Sequence, residues 1–326
     1  MSEIQLKKMT FKVFRFNSET DYLPVYKSYE LEISKMDVIL DVLNRIKWEQ
    51  DGSLSYRRSC RHGICGSCAV KVNDKAVLAC KQNVFDLVKI FGDELIIQPQ
   101  SEKRAVKDLI IDKKDFWSKY DSVKPYLIAD IEEHPVSENI ISKESAQMID
   151  DADYCIQCGA CFYSCPAVNY NEDFTGPAAL AKAYRFTSDE RDSAKKDRLN
   201  GVNQPGSGVW DCVKCFECAQ ACPKGVDPIG KITRLHNQIF SEGLAQNNVA
   251  TRHAVGFKDS IEKHGLLDEG ELVRYSEGNI GVMKHIPEAF DMLTHGKIVL
   301  PWDMPKSENL DEIKTLVESS STVKFK

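Results

Sequence analysis

The residues with the most chemistry in this chain are its twelve cysteines, and three runs use up all of them. Cys60, Cys65 and Cys68 form a C-x4-C-x2-C run with Cys80 following. Cys155, Cys158, Cys161 and Cys165 read C-x2-C-x2-C-x3-C, as do Cys212, Cys215, Cys218 and Cys222, and a proline, Pro166 or Pro223, follows each of these runs. Thiolates are soft ligands suited to iron-sulfur clusters. The first spacing is that of a plant-type [2Fe-2S] centre and the second that of bacterial two-cluster ferredoxins. In the bacterial arrangement the fourth cysteine of each run ligates the other cluster. That exchange predicts a [4Fe-4S] centre on Cys155, Cys158, Cys161 and Cys222, and a further centre on Cys165, Cys212, Cys215 and Cys218. Three centres of this kind imply a carrier of single electrons.

Other readings of the cysteines fit less well. Structural zinc usually pairs two short Cys or His knuckles across a longer gap, and it would leave the protein colourless. A disulfide framework belongs to small secreted chains, and x2 spacings suit a cluster better than pairing. Around the first run, Gly63 and Gly66 permit the tight backbone curl that brings N–H groups toward sulfur, and Cys80 closes the site from a neighbouring hairpin. Arg57, Arg58, Arg61 and His62 surround that loop with positive charge. They would stabilise the more negative reduced state or dock an acidic partner, the alternative being a solvated surface. No motif for a general acid, base or nucleophile is present. His134, His236, His253, His264, His285 and His295 are scattered singly and carry no assigned role. Trp48, Trp117, Trp210 and Trp302 read as packing residues, with Trp210 placed to shield Cys212 from water.

These ligands need elements to hold them. Residues 10–16 and 26–33 alternate apolar and polar side chains, as a half-buried hairpin does, with Asp21 and Pro24 in the connection. Residues 37–50 have helical spacing with Asp37 as the expected cap. Residues 69–72 and 76–79 flank the turn signal Asn73-Asp74-Lys75, and residues 94–98 supply another strand. Beyond Lys103 the pattern turns helical: an amphipathic helix is expected over 104–120, with others over 177–186 and 228–240. The charged stretch 189–198 alternates in sign and is expected to be a solvated helix face or turn. The predicted fold class is α+β. A strand-rich domain over 1–103 carries the first centre, a helical domain over 104–240 carries the other two, and a helical extension covers 241–326.

Bulk properties narrow the class. With 326 residues, 42% hydrophobic and 28% charged, the composition is that of a globular protein. A net charge of -6 argues against a nucleic-acid surface. No stretch approaches the ~20 apolar residues of a membrane span. Residues 1–16 carry Lys7, Lys8 and Lys12 without an apolar core, so no secretory signal is expected.

Beyond the cysteines, the chain resembles the iron-sulfur subunits of succinate dehydrogenases and fumarate reductases. The likeness is carried by Arg57-Arg58-Ser59-Cys60-Arg61-His62-Gly63-Ile64-Cys65-Gly66-Ser67-Cys68, Lys107-Asp108-Leu109-Ile110-Ile111-Asp112 with Phe116-Trp117, Lys124-Pro125-Tyr126-Leu127, and Gly176-Pro177-Ala178-Ala179-Leu180 with Ala183-Tyr184-Arg185. The resemblance implies a β-grasp [2Fe-2S] domain followed by an α-helical ferredoxin domain. It also implies a flavoprotein partner holding FAD, a membrane partner and a quinone, with the dicarboxylate chemistry on the flavin subunit.

The chain departs from the family pattern at Cys215, where relatives commonly place an apolar or hydroxyl residue and hold a [3Fe-4S] centre. A second [4Fe-4S] centre is therefore expected here, with [3Fe-4S] as the alternative if Cys215 is not a ligand. Asn169-Tyr170 and Val213 replace residues usual near the family's quinone site. The segment from Thr251-Arg252-His253 to Lys263-His264-Gly265 is faintly similar to heterodisulfide reductase subunits, which dock a cysteine-rich membrane-associated partner. The alternative function is thus an iron-sulfur subunit of a thiol-linked fumarate reductase or heterodisulfide reductase-like complex. Lack of a secretory signal points to the cytoplasmic face of a membrane complex, and a twin-arginine partner would carry the folded subunit to the other side.

Overall fold

The computed structural model describes residues 6–130, 138–297 and 304–322. The chain forms two compact units, one of residues 1–202 with 206–235, the other of 203–205 with 236–326. His134 and Trp302 lie outside the described residues.

The first unit opens on a five-stranded mixed sheet. Strand β1 (Lys7–Arg15) pairs antiparallel with β2 (Val25–Ile33), β3 (Ala69–Val72) pairs antiparallel with β4 (Lys75–Leu78), and β5 (Glu94–Gln98) runs parallel to β1, in the order β2-β1-β5-β3-β4. Met9, Phe11 and Val13 alternate into the core because strand side chains point to opposite faces at period two. Between β3 and β4, Asn73 and Asp74 take φ of 47° and 64°, the paired left-handed angles of a tight hairpin turn. Asn73 also accepts the Ile96 N–H at 2.9 Å, tying that turn to β5.

Helix α1 (Ile39–Arg45) runs on into a π-helical turn (Ile46–Gln50) and lays Ile39, Leu40, Val42, Leu43 and Ile46 on the sheet. Its start is one residue later than the sequence pattern suggests. Asp37 accepts the Ser34 N–H at 2.8 Å ahead of the helix, while Asp41 reaches back to the Val38 N–H at 3.1 Å. Trp48 is not core: it is 63% exposed, under the Arg58 guanidinium at 5.2 Å. Helix α2 (Val84–Phe91) is capped by Asn83, whose side chain accepts from Phe85 and Asp86.

A single helix over 104–120 does not form. Instead β6 (Ala105–Lys107) and β7 (Ile110–Ile111) make a short hairpin, and α3 (Lys114–Ser122) starts after it. The reason lies at the buried Asp108, held at φ 49°. Its carboxylate accepts N–H groups from Phe16 and Ser55 at 3.2 and 2.7 Å and the Arg15 Nε at 2.9 Å. Those tertiary partners outweigh local helix propensity.

The rest of the first unit is helical: α4 (Lys143–Asp153), α5 (Ala160–Tyr163), α6 (Pro166–Tyr170), α7 (Pro177–Thr187), α8 (Lys195–Val202) and α9 (Glu217–Gln220), with α10 (Pro228–Ser241) continuing beyond it. Prolines open α6, α7 and α10, where a missing N–H is harmless. The stretch 189–198 is only partly solvated: Glu190, Ser193, Lys196 and Asp197 are exposed, whereas Asp189, Asp192 and Arg198 are buried. Arg198 grips the Asp192 carboxylate at 3.0 and 2.8 Å and donates to the carbonyls of Val123, Lys124 and Tyr126 at 3.0, 2.6 and 2.7 Å. Asp189 is also buried. Burial pushes its pKa up, but hydrogen bonds from Arg191 and Arg185 outweigh that and hold it at about 2. The charges of Asp189, Asp192 and Arg198 thus pair inward, and the others of this stretch face outward or lie half-buried.

In the second unit α11 (Val249–His264) packs against α12 (Glu269–Lys284) and α14 (Leu310–Thr322), and α13 (Ile286–Thr294) follows α12. Asn248 caps α11, and Arg252 donates twice to the Ser276 carbonyl at 3.0 and 2.7 Å. Among the described residues no helix is long and apolar enough to cross a membrane.

Candidate metal centres

The loop that carries Cys60, Cys65 and Cys68 lacks regular structure, so its shape is set by side chains donating to or from its backbone. Lys47 donates to the carbonyls of Gly52 and Leu54 at 2.8 and 2.7 Å, and Asp108 holds the Ser55 N–H. At its turn, Arg61, Gly63 and Gly66 take positive φ of 60°, 69° and 69°. That curl aims backbone N–H groups at sulfur: His62 and Cys65 donate to the Cys60 Sγ at 3.4 and 3.3 Å. Donation from His62, Ile64 and Cys65 draws the Cys60 thiol down to about 6, toward the thiolate a metal requires. Cys80, at the end of the β3–β4 hairpin, is buried beside Cys68, whose thiol burial pushes up to about 12. Arg57, Arg61 and His62 are exposed around the loop, while Arg58 is held by the Asn44 side chain at 2.5 Å.

The two repeated runs fold alike. In each, the residue before the second cysteine and the residue after it are left-handed: Gln157 and Gly159 at φ 54° and 87°, Lys214 and Phe216 at 52° and 65°. Each third cysteine sits in a short helix, α5 or α9. Each fourth cysteine precedes a proline.

The fold brings Cys155, Cys158, Cys161 and Cys222 to the wall of one cavity, finished by Ala178, Ala181, Val226 and Pro228. It brings Cys165, Cys212, Cys215 and Cys218 to the wall of another, with Phe174, Ile229 and Ile232. Burial raises the thiol pKa of Cys158 to about 11 and of Cys218 to about 12. It also lifts Cys155, Cys165 and Cys212, and it takes Cys161 well above its ordinary value. Four sulfurs facing an otherwise apolar wall suit an iron-sulfur cluster. The metal would replace protons that burial makes hard to lose to water.

Two residues at these sites, Gln100 and Lys113, have no local signature in the sequence, and neither does the contact that Gly66 makes. Gly66, of the first loop, lies against the second run: a Cβ there would sit 2.9 Å from the Cα and Cβ of Cys158 and from the Ile156 carbonyl. The Cys158 carbonyl accepts Gln100 Nε2 at 3.1 Å and Lys113 Nζ at 2.7 Å. These partners are 58 and 45 residues from Cys158 along the chain, so only the folded structure reveals them.

Among the described residues, one histidine lies in a cluster of possible ligands. His264, Asp268 and Glu271 bring ligand atoms within 4.8 Å of one another, yet Asp268 caps α12 and Glu271 pairs with Lys263 at 2.5 Å.

Residues 10–118 match the sequence model of a 2Fe-2S iron-sulfur cluster binding domain, and residues 151–226 that of a 4Fe-4S dicluster domain. Over 237 residues the chain is 37% identical to the succinate dehydrogenase iron-sulfur subunit of Coxiella burnetii, an overlap of 72% of this chain and 98% of that protein. The chain belongs to the family of succinate dehydrogenase and fumarate reductase iron-sulfur subunits. A second relative in this family is the fumarate reductase iron-sulfur subunit of Mycobacterium tuberculosis, 35% identical over 231 residues, 70% of this chain and 92% of that one. The fold is shared with a chain of the Mycobacterium smegmatis Sdh1 complex in the apo form, with a TM-score of 0.63 and 19% identity over 73% of this chain and 98% of that chain. As a family member, the protein is an iron-sulfur electron-transfer subunit of an oxidoreductase complex. These relatives lend no support to the heterodisulfide reductase reading.

Proposed function

We propose that this subunit relays electrons between the FAD of a flavoprotein subunit and a quinone at a membrane partner, through three centres. Cys60, Cys65, Cys68 and Cys80 hold a [2Fe-2S] centre near the flavin. Cys155, Cys158, Cys161 and Cys222 hold a [4Fe-4S] centre in the middle, and Cys165, Cys212, Cys215 and Cys218 hold a second [4Fe-4S] centre nearest the quinone side. Bound there, each cluster supplies a one-electron carrier whose potential is set by hydrogen bonds, charge and solvent exposure. The protein's own part is to keep the carriers close, dry and oriented. It performs no chemistry on the dicarboxylate.

The observation that carries this reading is the twofold repetition of backbone geometry. Cys215 stands between left-handed residues as Cys158 does, and it shares a cavity wall with Cys165, Cys212 and Cys218. A left-handed Phe216 is strained for a side chain with a Cβ, and such strain gathers at ligand clamps. This supports four sulfurs at the third centre.

In this reading residues 1–103 serve the flavin side, 104–240 carry the later centres, and 241–326 form the surface for the membrane partner, a cysteine-rich peripheral subunit or a helical anchor. The complex lies on a membrane, at its cytoplasmic face. Anaerobically purified protein is expected to hold about ten iron atoms per chain. Cys215→Ser is expected to lose about one of them and to gain a paramagnetic signal in the oxidised state, since a [3Fe-4S] centre has an unpaired spin there and an ordinary [4Fe-4S] centre does not. A wild type with about nine irons and that signal already present removes Cys215 from the ligand set.

A further inference from the structure

Lys113 presses a positive charge on the middle cysteine site. It stands just ahead of α3, half-buried, with its Nζ 2.7 Å from the Cys158 carbonyl oxygen and 5.9 Å over the Phe116 ring. The acidic residues beside it in sequence are engaged elsewhere: Asp112 with Lys114 at 3.9 Å, Asp115 with Arg104 at 3.0 Å. Burial pulls the Lys113 pKa down from its ordinary value, Arg57 adds to that, and the Cys158 sulfur opposes it by favouring the charged form. The same cysteine is where Gly66 brings the first loop against the second, so this charge stands at the contact between the two.

We propose that Lys113, acting through the Cys158 loop, raises the reduction potential of the centre held by Cys155, Cys158, Cys161 and Cys222, and so favours transfer from the [2Fe-2S] centre. Each electron accepted at that centre leaves the first one, and the acceptor gains one negative charge. A nearby ammonium, half-removed from water and with no carboxylate partner among the described residues, stabilises the more negative state, because screening is weak there. The Gln100 amide donates to the same carbonyl without a net charge, so the two donors separate charge from hydrogen bonding. This inference rests on Cys158 being a ligand of the middle centre.

The test is a redox titration of the purified holoprotein, followed by electron paramagnetic resonance, for wild type, Lys113→Met, Lys113→Gln and Lys113→Arg, each with its iron content measured. In Met and Gln variants the oxidised-to-reduced ratio of the middle centre at a fixed potential is expected to rise roughly tenfold, about 59 mV for one electron. Lys113→Arg restores the wild-type ratio, and the other two centres do not move. Gln keeps a donor and the fold if Met perturbs packing, so a Gln variant with full iron and an unmoved middle potential overturns the proposal. An Arg variant that shifts as far as Met also overturns it, since packing and not charge would then be at work. Failure of the underlying ligand assignment is a separate outcome, visible as missing iron in the wild type.

Discussion

At Gly66 one absent carbon atom decides how near the first cysteine loop comes to the second. A Cβ there would be 2.9 Å from three atoms, two of them backbone, and the φ of 69° is strained for any other residue. Gly66→Ala is therefore expected to lose about 1–2 kcal/mol from the left-handed backbone alone, with the clash adding to it. Denaturant unfolding checks the loss, and stopped-flow absorbance is expected to show slower passage of electrons beyond the first centre. An alanine variant with wild-type stability and rate would show that the loops have slack. The glycine itself is legible in the sequence as part of a cluster loop. Its contact with Cys158 is not, because that contact joins two cysteine runs far apart along the chain.

Elements were readable where hydrophobic period and turn chemistry agreed. The strand Glu94–Gln98, the Asn73-Asp74 turn and the proline-led starts of α7 and α10 follow from local rules, since alternation, positive φ and a missing N–H act within a few residues. Where charged side chains found distant partners, local rules failed. Asp108 broke the expected helix over 104–120, and the Asp192–Arg198 pair buried one side of a stretch expected to be a solvent face. Truncating one member of a buried pair strands the other, so Asp192→Ala is expected to destabilise the first unit by about 3–5 kcal/mol. The readout is the midpoint of chemical unfolding. An effect within about 0.5 kcal/mol, usual for surface sites, would mean that Arg198 finds water instead.

For the molecule as a whole, iron is expected to support the fold of one unit and not of the other. All twelve cysteines lie in residues 60–222, and the second unit is held by helix packing, the Asn248 cap and the bonds from Arg252 to Ser276. Ligand binding to the folded state alone adds to its stability, so removing iron takes that stability from the cluster-bearing unit. After anaerobic chelation, hydrogen exchange is expected to speed up in α5, α9 and the loops beside them, while amides of α11 and α12 keep their protection. Equal loss of protection in α11 and α12 would show that the second unit depends on the centres.

The candidate ligands could be named without tertiary structure, because a thiolate's affinity for iron is intrinsic and the spacing of cysteines on a short loop limits what they can surround. Family membership and the α+β class were legible for the same local reasons. What folding decided was the surroundings: that Lys113 and Gln100 meet at the Cys158 carbonyl, that Gly66 abuts the same residue, and that Cys215 joins three other sulfurs at one cavity wall. Desolvation and Coulomb interaction depend on distance through space, and a linear chain does not display that distance until it has folded.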